Sequence, residues 1–518
     1  MKRTASTSVL AALLLTACRS PEETRHAPVA ASGSRPNILF VYCDDHATAA
    51  LGCYGASHAP TPAIDALAAQ GLVFDRAYCA NAICAPARAT VLTGRYSRAN
   101  GVTTNAEVFD PASSTFPKQL QAAGYETALF GKWHLKSDPT GFDTWEILPD
   151  QGSYYEPDLH GPDGDRRVHG HCTEVVTDLA LDWLREERDP SKPFCLMVQH
   201  KAPHRAWRAD SGDFDAVEEG SLPEPATLFD DWSGRSAAAS STTMTIANDL
   251  YLEYDLKVPL VDGEPANGPD RWAKSVDGRM DAEQRAAWDA FYGPANAAFR
   301  ADTPRGDDLV RWKYQRFLAD YLRCVAGVDR SVARLLAELD ELGLADDTLV
   351  VYTSDQGFFL GEHGWYDKRF AYEPSMRFPL VVRWPGRVEP GTRDAHLVQN
   401  VDFAATFCDL AGVAAPDGAQ GASLVPLLTG DPPVVWRDAV YFRYEEVGIH
   451  DVEPHRAVRT DRYKLLRFDR LGASELYDLR ADPDELVNLA ERTEYAPLRR
   501  SLEEELERLT ADFEAGGR

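Results

Sequence analysis

The chain has 518 residues, of which 44% are hydrophobic, and a formal net charge of −27 at pH 7. That length and apolar content support a large buried core, as two or more domains or as one large α/β domain with an appendage. So acidic a body argues against nucleic acid or an anionic membrane as partners of its overall field, and an anionic ligand would need a local positive pocket.

Met1 to Ser20 reads as a targeting segment. Lys2 and Arg3 give a basic start, and Val9 to Leu15 is an apolar run too short to span a bilayer. Leu15-Thr16-Ala17-Cys18 resembles the bacterial lipobox. It implies a signal peptide over 1–18, a lipidated Cys18, and an exported protein anchored by that lipid in the cell envelope, in the periplasm or at the surface. Residues 19–34, rich in Ala, Ser and Pro, read as a flexible tether. No later stretch is apolar and long enough to be transmembrane. The nine cysteines show no zinc-finger spacing.

Asn37 to Cys43 is a continuous apolar run, the mark of a strand buried on both faces, and it ends in Asp44-Asp45. Adjacent carboxylates there repel unless a cation sits between them, and open α/β sheets bind ligands at the carboxyl ends of their strands. Thr61-Pro62 opens a helix with an N-cap and a first-turn proline, and Gly71 ends it. The strand Leu72-Val73-Phe74 leads to Ala82-Ile83-Cys84-Ala85-Pro86-Ala87-Arg88. Arg88 lies one helical turn beyond Cys84, a permanent cation beside a candidate nucleophile. If this stretch opens a helix, its free amides favour an anion. Phe116 to Ala123 reads as a short helix and Tyr125 to Phe130 as a strand, followed by Gly131-Lys132-Trp133-His134. Lys132 and His134, two apart, point the same way on an extended segment.

Val175 to Glu187 is an amphipathic helix, and the strand Phe194 to Val198 runs into Gln199-His200-Lys201-Ala202-Pro203-His204. Arg205 to Arg311 breaks the alternation and reads as a long insertion over the site. In it Trp207, Phe229, Asp230, Asp231, Trp232 and Arg235 are candidates for a sugar pocket or for simple packing. Lys313 to Leu342 is a long helix with an apolar core face. The strand Thr348 to Thr353 ends in Ser354-Asp355-Gln356-Gly357. Asp44, Asp45, Asp355 and the Gln356 oxygen make an all-oxygen set, suited to Ca²⁺ or Mg²⁺ rather than zinc. Gly361-Glu362-His363-Gly364 and Asp367-Lys368-Arg369 follow, then the strand Pro379 to Arg383 and the helix Val401 to Ala411. From Trp436 short strands take over: Ala439 to Arg443, His455 to Thr460 and Tyr463 to Phe468. A charged helix over Tyr495 to Phe513 closes a small α+β subdomain.

The pattern Cys84-x-Pro86-x-Arg88, continued by Val91-Leu92 and Thr93-Gly94, resembles the signature of the sulfatase family. Gly131-Lys132-Trp133-His134 and the closing Glu475-Leu476-Tyr477-Asp478-Leu479 extend the resemblance from about Arg35 to the end. It implies an alkaline-phosphatase-like α/β fold: a large, mostly parallel sheet flanked by helices, with a smaller C-terminal α+β subdomain. The catalytic domain would span 35–435, with its insertion at about 205–311, and the subdomain 436–518. The resemblance also implies that Cys84 is oxidised to formylglycine by a formylglycine-generating or anaerobic sulfatase-maturating enzyme. A hydrated aldehyde carries two hydroxyls: one attacks sulfur, and deprotonating the other releases sulfate, a route closed to serine.

By the same resemblance Ca²⁺ is held by Asp44, Asp45, Asp355, Gln356 and the modified Cys84, although the family more often has Asn or His at Gln356. Arg88, Lys132 and Lys368 neutralise the sulfate, His134 is a base and His204 an acid. His363, Arg369 and His455 are candidates for substrate binding. Ser354 to Phe358, Gly361 to Trp365 and Trp312 to Gln315 look closest to bacterial glycan sulfatases of the N-acetylglucosamine-6-sulfatase-like or mucin-desulfating type. The expected substrate is therefore a sulfated carbohydrate. Two other readings stand beside it: a phosphate or phosphonate ester hydrolase of the same superfamily, and a glycan-binding surface lipoprotein whose Cys84 is never modified.

Overall fold

Seven consecutive buried residues, Asn37–Cys43 (β1), form the middle of a ten-stranded sheet. The computed structural model describes residues 35–514; the expected signal peptide, Cys18 and the tether lie outside them. In chain order the other strands are Leu72–Phe74 (β2), Glu126–Lys132 (β3), Thr144–Leu148 (β4), Asp158–Gly161 (β5), Gly164–Arg167 (β6), Phe194–Gln199 (β7), Thr348–Ser354 (β8), Leu380–Arg383 (β9) and Thr392–Asp394 (β10). Across the sheet they run β10-β2-β9-β8-β1-β7-β3-β4-β5-β6. The central strands β8, β1, β7, β3 and β4 are parallel. Their carboxyl ends therefore share one edge, and helices bury both faces, which is why their sequences are apolar runs rather than alternating ones. The polar edge strand β6, exposed at all four residues, has no such signal.

The cap of one helix and the start of another differ from the sequence expectation. The helix at Pro62–Ala69 takes no side-chain cap from Thr61. The Asp329 carboxylate caps it instead, accepting from the Ala63 and Ile64 amides at 3.1 and 2.8 Å, while the Thr61 hydroxyl accepts from the Gly52 amide. Asp329 belongs to the long helix Asp307–Glu341, which starts six residues before the expected Lys313. Asp307 and Asp308 in its first turn suit the positive end of its dipole. Between β7 and β8 there is no strand among the described residues; the insertion is helical and irregular, with its longest helix at Ala282–Ala301.

The strands Ala439–Tyr444 (β11), His455–Thr460 (β12), Tyr463–Phe468 (β13) and Ala473–Asp478 (β14) form an antiparallel meander. The helix Ala496–Glu514 closes it. Its Leu502, Leu506 and Leu509 recur at helical spacing and share a core with Val458, Leu465 and Leu476. Two buried cations join this sheet to the main body: Lys464 Nζ lies 2.8 Å from both Glu373 and Glu485, and Arg459 Nε lies 3.3 Å from Glu373. Burial pushes the Glu485 carboxyl up to about 7, against the pull of Lys464. Lys464→Met leaves Glu485 without its cation and Glu373 with Arg459 alone, at a cost of ~3–5 kcal/mol at pH 8. A carboxyl whose folded pKa is raised takes up protons on folding, so the loss shrinks as pH falls toward 5. Urea unfolding at both pH values measures it; equal midpoints for variant and wild type at pH 8 would contradict the account.

Candidate active site

Six of the candidate side chains lie at the ends of strands that share this edge. Asp44 and Asp45 follow β1, Asp355 follows β8, Lys132 and His134 close β3, and His204 follows β7. In register Cys43 pairs with Ser354, so Asp44 and Asp355 leave neighbouring strands side by side. Asp45 and His134 have φ of +69° and +57°, which turns both chains sharply at the edge. The helix Cys84–Thr93 lies under this edge with every residue buried. Ala85, Ala87 and Ala89 let it sit that deep, and Asn105 Oδ1 accepts from the Ala85 amide at 3.0 Å in its open first turn.

The Cys84 thiol donates to Asp44 Oδ1 at 3.2 Å, and Lys132 Nζ stands 3.9 Å from the sulfur. Lys132 also donates to Asp44 and, at 2.5 Å, to Gln151 Oε1. Arg88 is 2% exposed and donates to the Lys132 carbonyl at 2.7 Å, to Gln199 Oε1 at 2.6 Å and to Asp355 Oδ2 at 3.2 Å. Its guanidinium stacks over Tyr42, 4.9 Å from the ring centroid. Lys368 Nζ donates to both oxygens of Asp45, at 2.6 and 2.5 Å. His204 Nδ1–H donates to the Arg205 carbonyl at 2.6 Å, which leaves Nε2 facing Asp45 Oδ2 at 3.7 Å. One ligand atom each of Asp44, Cys84 and His204 fall within 4.8 Å of one another.

Asp44, Asp45 and Asp355 are wholly buried, and one oxygen of each lies within 4.8 Å of the others. Gln356 gives its amide to Asp45 while its own Oε1 is buried without a partner. An orphaned carbonyl beside three carboxylates fits a hard divalent cation. Burial and the charge of Asp44 hold the Asp355 carboxyl well above its ordinary value, and burial raises Asp45 to about 6 against the pull of Lys368. Asp44 goes the other way: burial works to raise it, but the charges of Lys132 and Arg88 hold it well below. Three carboxylates balance Arg88, Lys132 and Lys368. A divalent cation held among them makes the pocket positive, as an anionic ligand in an acidic body needs.

Burial, with Asp44 alongside, pushes the Cys84 thiol well above its usual value. An unmodified thiol here is a neutral group and a poor nucleophile. Burial and then Lys132 push His134 down to about 2, and the same causes hold His204 well below the histidine range. Both imidazoles are neutral in this state. Gln151 Nε2 stands 3.2 Å from His134 Nε2; since the Gln151 oxygen accepts from Lys132, its amide donates to that nitrogen. The proton of His134 is thereby placed on Nδ1.

The three expected substrate contacts are held differently. Arg369 donates to Glu446 at 2.5 Å and to the Tyr444 hydroxyl at 3.3 Å. Glu446 also accepts from the Asn105 backbone amide, so three hydrogen bonds connect Arg369 to the Cys84 helix. His363 Nδ1 lies 3.0 Å from Asp230 and 3.1 Å from Arg235, among Phe359, Trp365 and Tyr372. His455 has both nitrogens engaged by backbone: Nδ1–H donates to the Glu453 carbonyl at 2.8 Å and Nε2 accepts from the Ala371 amide at 3.0 Å. That leaves it no free nitrogen for a ligand. Trp207, wholly buried, and Asp230, Trp232 and Arg235 are likewise packed and bonded within the protein.

Sequence reasoning missed Gln151 and Asn105, and it placed Lys201 only as a supporting residue beside His204. Gln151 and Asn105 lie on loops without a pattern. Lys201, three residues before His204, is buried over the Tyr154 ring at 4.9 Å, and burial lowers its ammonium to about 8.

Residues 36–413 match the family model described as sulfatase, and 361–512 match that described as N-sulphoglucosamine sulphohydrolase, C-terminal. The chain belongs to the sulfatase family. It is 44% identical over 519 residues to an N-acetylglucosamine-6-O-sulfatase of Bacteroides thetaiotaomicron, covering 98% of this chain and 91% of that protein. It is 25% identical to a human N-acetylglucosamine-6-sulfatase, covering 89% of this chain and 82% of that one. A solved structure in complex with its substrate, D-glucosamine-2-N,6-O-disulfate, superposes with a TM-score of 0.89 at 43% identity, covering 93% of this chain and 99% of that one. The phosphonate monoester hydrolase of Agrobacterium radiobacter, at 23% identity and a TM-score of 0.66 over 92% and 96% of the two chains, shares the fold.

The protein is thus a sulfuric ester hydrolase acting on a glycan sulfate monoester, and its buried acidic, His and Cys cluster fits the Ca²⁺ and formylglycine site of the family. Gln356→Ala removes the orphaned oxygen and weakens Ca²⁺ binding at least about tenfold, the worth of ~1.4 kcal/mol. Calorimetric titration of the metal-stripped protein reads this directly, and unchanged affinity would show that Gln356 is no ligand.

Proposed function

We propose that the protein removes a 6-O-sulfate from a glucosamine-type residue of a glycan. The observation that carries this reading is the 44% identity, over 98% of the chain, to an N-acetylglucosamine-6-O-sulfatase. A structure at 43% identity bound to D-glucosamine-2-N,6-O-disulfate supports it, with 6-O-sulfate as the shared feature. Formylglycine at position 84 supplies an activated oxygen nucleophile, and Ca²⁺ held by Asp44, Asp45, Asp355, Gln356 and position 84 supplies charge to the sulfate.

The chain's own residues supply the rest. Arg88, Lys132 and Lys368 bind the sulfate oxygens and the charge that develops on them in a dry pocket, where such contacts are strongest. His134 is the base: its proton sits on Nδ1, and its Nε2, which accepts from the Gln151 amide here, takes the proton when that amide gives way to the hydroxyl. His204 Nε2 gives the proton to the leaving sugar oxygen, a poor leaving group unless protonated. The negative charge of an incoming sulfate favours the protonated imidazole, offsetting the burial that keeps it neutral beforehand.

A formylglycine-generating or anaerobic sulfatase-maturating enzyme is the partner that prepares Cys84. The lipobox at Leu15 to Cys18 supports export and a lipid anchor on Cys18. No helix among the described residues is long and apolar enough to cross a membrane.

Two comparisons test the reading. His204→Ala lowers kcat on 6-O-sulfated N-acetylglucosamine by ~10²-fold or more, and far less on an activated aryl sulfate that needs no acid. Equal losses on both esters would remove His204 as the acid. The wild type releases sulfate from the 6-O-sulfated sugar with a higher kcat/KM than phosphate from the 6-phosphate, and the reverse order would favour the phosphate ester reading.

A further inference from the structure

Lys368 stands on an unusual turn. Asp367 and Arg369 on either side of it have φ of +77° and +92°, a region that L residues other than glycine adopt only when their surroundings impose it. Asp367 Oδ1 accepts from the Lys368 amide at 2.7 Å and faces Arg369 Nε at 3.4 Å. Its other oxygen, Oδ2, lies 3.2 Å from Nε2 of His450.

His450 comes from the loop after β11, in the C-terminal subdomain, and it is fixed at both ends. Its Nδ1 lies 2.7 Å from Asp249 Oδ2, in the insertion, which also accepts from the Tyr366 hydroxyl at 2.7 Å. Its carbonyl accepts from the Thr243 amide and the Thr242 hydroxyl, both at 2.8 Å. An imidazole with a carboxylate at each nitrogen satisfies both only as imidazolium, the one form that donates at both positions. The ring is thus a charged clasp between two segments far apart in sequence, and the turn of Lys368 is on one side of it.

We propose that His450 is a positioning residue: bridging Asp249 and Asp367, it locks the turn that aims Lys368 into the site. The C-terminal subdomain and the insertion thereby act on the reaction without touching the reacting atoms. The inference rests on Lys368 serving the reaction as described above. A side chain aimed by a strained turn loses its aim when the lock is removed, and a displacement of ~1 Å costs up to ~10²-fold in rate.

The test is a cycle of variants in the matured enzyme on a 6-O-sulfated sugar. His450→Gln removes one arm of the clasp, and Asp249→Asn reaches it from the insertion, so one of the pair is informative if the other folds poorly. The expected result is a kcat about tenfold lower or more, with KM within about twofold of wild type. Added to Lys368→Ala, either change costs little further, because the group it aims is already gone. A wild-type kcat in both single variants overturns the proposal, as does a loss that multiplies with that of Lys368→Ala. The two assignments fail separately: a fully active Lys368→Ala removes the role of Lys368 and the route through it, whereas an impaired Lys368→Ala beside active His450→Gln and Asp249→Asn overturns only the clasp.

Discussion

Three wholly buried carboxylates, Asp44, Asp45 and Asp355, meet at one edge of the sheet, and the rest of the structure answers to the cost of holding them there. Each would be expensive alone in a water-excluded interior, and together they repel. The protein meets the charge with three basic groups from three different segments: Arg88 of the Cys84 helix, Lys132 at the end of β3, and Lys368 on the turn after β8. Removing one partner leaves a buried charge unanswered. The cluster therefore fixes the relative position of those segments as firmly as the apolar core beneath it.

The sheet places this cluster at the edge. Parallel strands bring the carboxyl ends of β1, β8, β7 and β3 together, and side chains just beyond those ends converge although they are up to 311 residues apart, from Asp44 to Asp355. The buried helix from Cys84 brings that residue up to the cluster from below. Carboxylates that receive a divalent cation leave the three basic groups to an anionic ester. That is how a chain with a net charge of −27 can recruit a sulfate.

Much of this was legible in the residues. The central strands announced themselves as apolar runs, since strands buried on both faces have no polar side to show, and the carboxylates directly after them marked the site. Cys84, Arg88, Lys132 and His134 stood out because their stretches resemble the family's signatures. What escaped depends on tertiary contact. The edge strands β5 and β6 are polar, the cap of the helix at Pro62 comes from Asp329 far along the chain, and Gln151 reaches Lys132 and His134 from a loop with no pattern. His455 falls on the structural side of the two roles open to it. A histidine late in the chain suited a ligand contact by residue type, but its surroundings spend both nitrogens on backbone.

The claim on which the whole account turns is the identity of the group at position 84. The most direct measurement is the mass of the tryptic peptide Ala77 to Arg88 from protein made in its native host. The account predicts formylglycine or its hydrate in place of Cys84. A free thiol there in properly exported protein would contradict it, because a buried, neutral thiol cannot do the chemistry assigned to this site.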